Sequence, residues 1–106
     1  MPYEIRRYIT ATQQDVFLAW FSALRDRQAK IRIAQRLTRL ELGQFGDCKP
    51  CRDGIWELRI NSGPGYRIYY ALNGRQIILL LCAGDKSTQK SDINRASAFW
   101  QDWQTR

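Results

Sequence analysis

The chain has 106 residues, 44% of them hydrophobic and 12% aromatic, with a formal charge of +7. That length fits one domain, residues 1–106, around one core, and the apolar content excludes a disordered chain. With no histidine and three cysteines, the commonest neutral-pH acid/base and metal ligand is missing and a disulfide framework is disfavoured.

The basic balance bears on partners rather than fold: nucleic acid, an acidic protein and an anionic membrane all fit it. No run approaches the roughly 18 apolar residues of a spanning helix. The start of the chain, Met-Pro-Tyr-Glu-Ile-Arg-Arg, lacks the apolar stretch of a signal peptide. A cytoplasmic protein with no membrane partner is therefore expected.

Residues 3–9 read as a short strand with Tyr3 and Ile5 inward. Thr12 is placed as a helix N-cap with Asp15 at the third helical position. Val16, Phe17, Trp20, Phe21 and Leu24 recur at spacings of three and four, so 13–26 reads as an amphipathic helix. A second helix runs from about Gln28 to Leu42, with Ile33, Ala34, Leu37 and Leu40 as its core stripe and Gly43 as its stop. Arg32, Arg36 and Arg39 form a second stripe, read either as a solvated face or as a contact for RNA backbone or an acidic partner. The two helices make a hairpin.

From Gln44 the pattern changes to strands. Cys48 to Arg52 is a short polar strand or loop, and Gly54 to Ala71 is a strand-turn-strand unit. Asn73-Gly74 suits a tight turn. Ile77 to Ala83 is a continuous apolar run, as expected of a strand covered on both faces. After the polar loop 84–90 comes a last helix carrying Ile93, Ala96, Trp100 and Trp103. The order β-α-α-β-β-β-β-α gives an α+β fold: a mainly antiparallel sheet, an N-terminal helical hairpin and a C-terminal helix.

The strand-turn-strand unit carries the chemistry. Glu57 and Arg59 share one strand face, and Arg67 and Tyr69 share the matching face of the returning strand. A symmetric turn over Asn61–Gly65 sets Arg59 opposite Arg67. Like charges across strands destabilise, so the pair calls for a carboxylate between them, here Glu57, or for an anion from outside. The alternative is structural, with Arg67 paired to Glu57 and Arg59 covering the sheet. Lys86 and Lys90 follow the buried strand in a loop, where sites tend to lie. Lys49 and Arg52 precede the hairpin and extend the cationic surface. Tyr69 shares the arginine face and is the better base-stacking residue; Tyr66 and Tyr70 alternate with it onto the side of Ile68. Cys48-Lys49-Pro50-Cys51 has the spacing of a redox or zinc half-site, but it precedes a strand rather than opening a helix. With only Cys82 elsewhere and no histidine, the four ligands of a structural zinc site are not assembled. No metal and no cofactor is expected.

The run E-L-R-I-N-S-G-P-G-Y-R-I-Y-Y (57–70), followed by I-I-L-L-L-C-A-G-D-K-S-T-Q-K-S-D-I (77–93), closely resembles the phage-related addiction module killer toxins, a HigB-like branch of the RelE/ParE superfamily. The resemblance covers almost the whole chain. It implies a toxin of a type II toxin–antitoxin module that cuts mRNA in the ribosomal A site without a metal. The implied partners are a cognate helix-turn-helix antitoxin, mRNA on the ribosome, and operator DNA only through the antitoxin. By the same resemblance Arg59 holds the position that contacts the scissile phosphate, Lys86 that of a second catalytic cation, and Lys49 and Arg52 lie on the strand that carries RNA-binding lysines. Arg67 assists the catalytic pair, and Lys90, Arg36 and Tyr69 complete the expected RNA-binding set. The tyrosine of RelE has no counterpart, its stretch being Ser91-Asp92-Ile93, and the histidines of HigB are also absent, so the acid and base stay open between Lys86, Lys49 and Asp85. ParE-like members poison DNA gyrase instead, which is the rival reading; an inactive member that only binds antitoxin is a third.

Overall fold

The computed structural model describes residues 2–106. Its elements run β1 (Glu4–Arg7), α1 (Val16–Ala23), α2 (Arg27–Glu41), β2 (Cys48–Pro50), β3 (Ile55–Ile60), β4 (Tyr66–Asn73), β5 (Ile77–Asp85), a 3₁₀ turn (Lys86–Thr88) and α3 (Gln89–Thr105). The strands form one mixed sheet in the order β1-β5-β4-β3-β2, with β1 parallel to β5 and the other pairs antiparallel. The expected α+β fold is the observed one, with the element order read from the sequence.

Two apolar layers sandwich the sheet. On one face Phe17, Ala29, Ile33 and Leu40 of the helical hairpin pack on Leu58, Ile60, Tyr66, Ile68, Tyr70, Ile78 and Leu80. On the other, Ala96 and Trp100 of α3 pack on Tyr8, Ile55, Tyr69, Ala71, Leu79 and Leu81. This is why β5 reads as an unbroken apolar run: each face has its own cover. Strict alternation fails at one point. Tyr69 pairs with Cys82 but Tyr70 pairs with Leu80, so Leu81 is the extra residue of a bulge. Leu81 and Cys82 consequently both face α3, and Ala83 returns to the other layer.

Two details of the helices differ from the sequence reading. The first helix begins at Val16 rather than residue 13, because Asp15 and not Thr12 is the N-cap; its carboxylate accepts from the Leu18 amide at 3.1 Å. Thr12 instead bonds Thr10 within a turn that carries Gln13 at φ 68. The core stripe of α2 uses Ala29, Ile33 and Leu40, and Ala34 is exposed. Gly43 stops α2 at φ 81, as read, with its amide donating to the Leu40 carbonyl.

Tyr69 is a correction. It is fully buried and cannot stack on a base, because α3 covers the part of the arginine face where it sits. Its hydroxyl is buried with no hydrogen-bond partner among the described residues, and burial, with Glu57 next in effect, pushes its pKa up. An unpaired buried hydroxyl costs stability. Tyr69→Phe is therefore expected to melt at the same or a higher temperature than the parent. A fall of several degrees would reveal a partner for the hydroxyl.

Candidate phosphate-binding clefts

The hairpin register sets Arg59 directly opposite Arg67. Each arginine is neutralised on its own side. Arg67 donates from Nη1 to Glu57 Oε1 at 2.7 Å, and Gln89 Nε2 donates to Glu57 Oε2 at 2.7 Å. Arg59 donates from Nε and Nη2 to Asp47 Oδ1 at 3.1 and 2.8 Å; this bond and the charge of Asp47 raise the Arg59 pKa. The two ion pairs differ in kind. The Arg67 and Glu57 side chains are 11% and 2% exposed, against 41% and 51% for Arg59 and Asp47. The buried pair is therefore structural, and the outer pair can open to solvent at little cost. Arg67 Nε is itself buried without a partner among the described residues.

Two clefts flank this arrangement. The first, about 400 Å³, is lined by Arg59, Arg67, Lys86 and Asp47 together with the turn Gly63–Gly65. The second, about 340 Å³, lies between β2 and the start of α3 and is lined by Lys49, Arg52, Lys90, Gln89 and Asn94, with Glu57 at its edge. The single cationic cluster expected from the sequence is thus divided. The three residues expected to be catalytic share one cleft, and Lys49, Arg52 and Lys90 share its neighbour. Glu57 and Arg67, bonded to each other, each line a different cleft.

Lys86 is placed by local chemistry. Asp85 caps the 3₁₀ turn, accepting from the Ser87 amide at 2.8 Å and the Ser87 hydroxyl at 2.5 Å, which lower its pKa. A carboxylate so held is a poor proton acceptor, so Asp85 is a cap. The Lys86 stem runs past Gly65, where a Cβ would lie 3.4 Å from its Cγ and Cδ. On the other side of the loop, Thr88 donates to Asp92 Oδ2 at 2.5 Å against the bare backbone of Gly84. A Cβ at Gly84 would overlap Asp92 Oδ2 and come within 2.5 Å of Thr88 Oγ1. Gly84→Ala is expected to cost roughly 1–3 kcal/mol by overpacking, a Tm drop of about 5–20 °C by thermal melt; an unchanged Tm would mean that the 84–92 contact yields freely.

Arg36 is a second correction. It bonds the carbonyls of Arg59 (2.7 Å), Phe45 (3.1 Å) and Asp47 (3.3 Å), so its guanidinium holds the 45–47 loop rather than RNA. Arg36 lies three residues after Ile33 and four before Leu40, at the edge of the packed side of α2. Asp47, Gln89 and Asn94 are site residues that sequence reading did not single out, since no periodicity marks a loop aspartate or two helix amides.

Burial raises the pKa of the Cys48 and Cys51 thiols and pushes that of Cys82 up to about 12. No group of three or more metal-ligating side chains occurs among the described residues. Iodoacetamide at pH 8 is expected to label the half-buried Cys48 and Cys51 well before Cys82, since the thiolate is the reactive form; mass spectrometry of the labelled peptides checks the order, and early labelling of Cys82 would show β5 opening readily.

The fold and its clefts define a small cationic α+β domain with two clefts beside the arginine pair. The profile of the phage-derived protein Gp49-like family (DUF891) matches residues 19–98, and the chain belongs to that family, which is associated with the toxins of toxin–antitoxin modules and so with an antitoxin partner. A relative from Haemophilus influenzae, described as an uncharacterized protein, is 46% identical over 86 residues, covering 81% of this chain and 87% of that protein. No described helix is long and apolar enough to cross a membrane.

Proposed function

We propose that the protein is the toxin of a type II module and a RelE/HigB-like, metal-independent endoribonuclease that cuts mRNA on the ribosome. The observation that supports it is the convergence of Arg59, Arg67 and Lys86, from three separate segments, on one cleft, with Lys49, Arg52 and Lys90 in the next. A strand crossing both meets cations throughout, and phosphate contacts sum.

In the reaction, the 2′-oxygen attacks the adjacent phosphorus, the bond to the 5′-oxygen breaks, and a 2′,3′-cyclic phosphate and a 5′-hydroxyl result. Arg59 turns from Asp47 to the non-bridging oxygens, where its planar fork stabilises the developing charge. Asp47, then released, is the carboxylate lining that cleft and takes the 2′-hydroxyl proton. Lys86 protonates the leaving 5′-oxygen. Arg67, fixed by Glu57, forms the floor of that cleft and holds its shape. With no histidine available, positioning of the mRNA by the ribosome supplies a large share of the rate.

Single-turnover cleavage on programmed ribosomes tests this. The wild type is expected to cut the A-site codon and Asp47→Asn to cut it far more slowly. Pulse labelling after induction without antitoxin gives the opposing result its form: if protein synthesis continues while DNA synthesis stops, the gyrase-poison reading replaces this one.

A further inference from the structure

Asp47 and Arg59 face each other across the first cleft on backbone that one further side chain holds. We infer that this side chain, Arg36, is a positioning residue for the pair, which rests on the cleavage role proposed above for Asp47 and Arg59. The Arg36 guanidinium donates from Nη1 to the Arg59 carbonyl at 2.7 Å, and from Nη2 to the Phe45 and Asp47 carbonyls at 3.1 and 3.3 Å. The Asp47 carbonyl also accepts from the Arg59 amide at 3.0 Å. Arg59 is thus tied to the loop on both sides of its Cα, through its own N–H to Asp47 and through its C=O to Arg36.

Arg36 forms no ion pair among the described residues, so no carboxylate accounts for its place. Carbonyls from two separate segments meet its charge instead, a task that suits a rigid fork and not the single nitrogen of lysine. Packing anchors the start of the loop: the Phe45 ring meets Tyr3 edge-on at 5.3 Å and stacks on Tyr70 at 6.5 Å between centroids. Arg36 fixes the end, where Asp47 lies. Between them Gly46 stands at φ 65, and a Cβ there would lie 3.0 Å from Arg36 Nη2. The guanidinium therefore fills the space that any other residue at 46 would need. The pair depends on this support because it is about half exposed, and an ion pair in solvent does little to hold two side chains in one geometry. Misplacing a reacting group by about 1 Å can cost on the order of 10² in rate.

Arg36→Met, Arg36→Lys and Gly46→Ala are compared with the parent in two measurements. One is single-turnover cleavage on programmed ribosomes across a range of protein concentration. The other is the Arg59 Nε–H resonance in a proton–nitrogen correlation spectrum of the full chain, assigned by its loss in Arg59→Ala. Because Arg59 Nε donates to Asp47 Oδ1, that resonance reports on the pair directly. Arg36→Met is expected to cut about a hundredfold more slowly at saturation, with an unchanged half-saturating concentration, and to shift or broaden the resonance. Arg36→Lys is expected to recover part of both, since an ammonium still bonds some of the carbonyls. Gly46→Ala keeps the arginine but pushes on Nη2; it is expected to act in the same direction, and it carries the test if Arg36→Met does not fold. A purely structural arginine would lower the Tm and leave the saturating rate of the folded protein intact. That result, a loss seen only as a higher half-saturating concentration, or an unmoved Arg59 resonance overturns the positioning role. If the parent itself never cuts, the proposed activity falls, and the resonance alone decides whether Arg36 holds the pair.

Discussion

Arg59→Ala is expected to cut mRNA on programmed ribosomes on the order of 10²–10³ more slowly in single turnover, the usual loss when one preorganised charge contact is removed. The same variant is expected to melt within a few degrees of the parent. Its ion pair with Asp47 is about half exposed, and such solvent-screened pairs contribute little to stability. Arg59→Lys should recover only part of the rate, since an ammonium cannot make the two-point contact of a guanidinium. Adding Lys86→Ala should give less than the product of the single effects, because the two act on one phosphate. A folded Arg59→Ala protein that cleaves at the full rate would reduce Arg59 to a partner of Asp47.

The largest stability effect belongs to Glu57. Glu57→Ala removes the acceptor of both Arg67 and Gln89 and leaves a buried guanidinium without its counter-charge. Breaking a buried pair from one side costs about 3–5 kcal/mol. For a domain of this size that is a Tm lowered by roughly 12–40 °C. The double variant Glu57→Leu/Arg67→Met takes away both charges, and apolar replacement of a buried pair is often neutral or stabilising. It should regain most of the lost Tm while remaining slow in cleavage. Calorimetry of the three proteins decides the matter: a Glu57→Ala melt close to the parent's would show that the pair is solvated in solution.

Much of this arrangement was legible before any coordinates. The facing of Arg59 and Arg67 followed from two alternating strands and a short turn, and the double cover of β5 followed from its lack of alternation. What failed was the inference from face to exposure. Glu57, Tyr69, Arg59 and Arg67 were placed on one sheet face, but only the end near the Asn61–Gly65 turn is open, because α3 lies across the rest. Alternation assigns a side chain to a face and says nothing of what later packs there. Arg36 failed for a related reason: it fits the arginine stripe and the packed side of α2 equally in number, and the carbonyls that decide between them come from loops with no periodic signal. Asp47 was invisible on the same ground, since its role depends on where the 45–47 loop is held.

The pairing of β1 with β5 governs when the molecule can come into being. Glu4 has to wait for Ile77, and Arg7 for Leu80, so the first strand emerging from a translating ribosome has no sheet to join until β5, the last strand in sequence, has been made. Lys86 follows that same strand directly. Sheet closure over such separation is slow, and domains fold as units during synthesis. A nascent chain therefore lacks its assembled phosphate site for most of its own translation. On the proposed activity, that delay spares the message still being read.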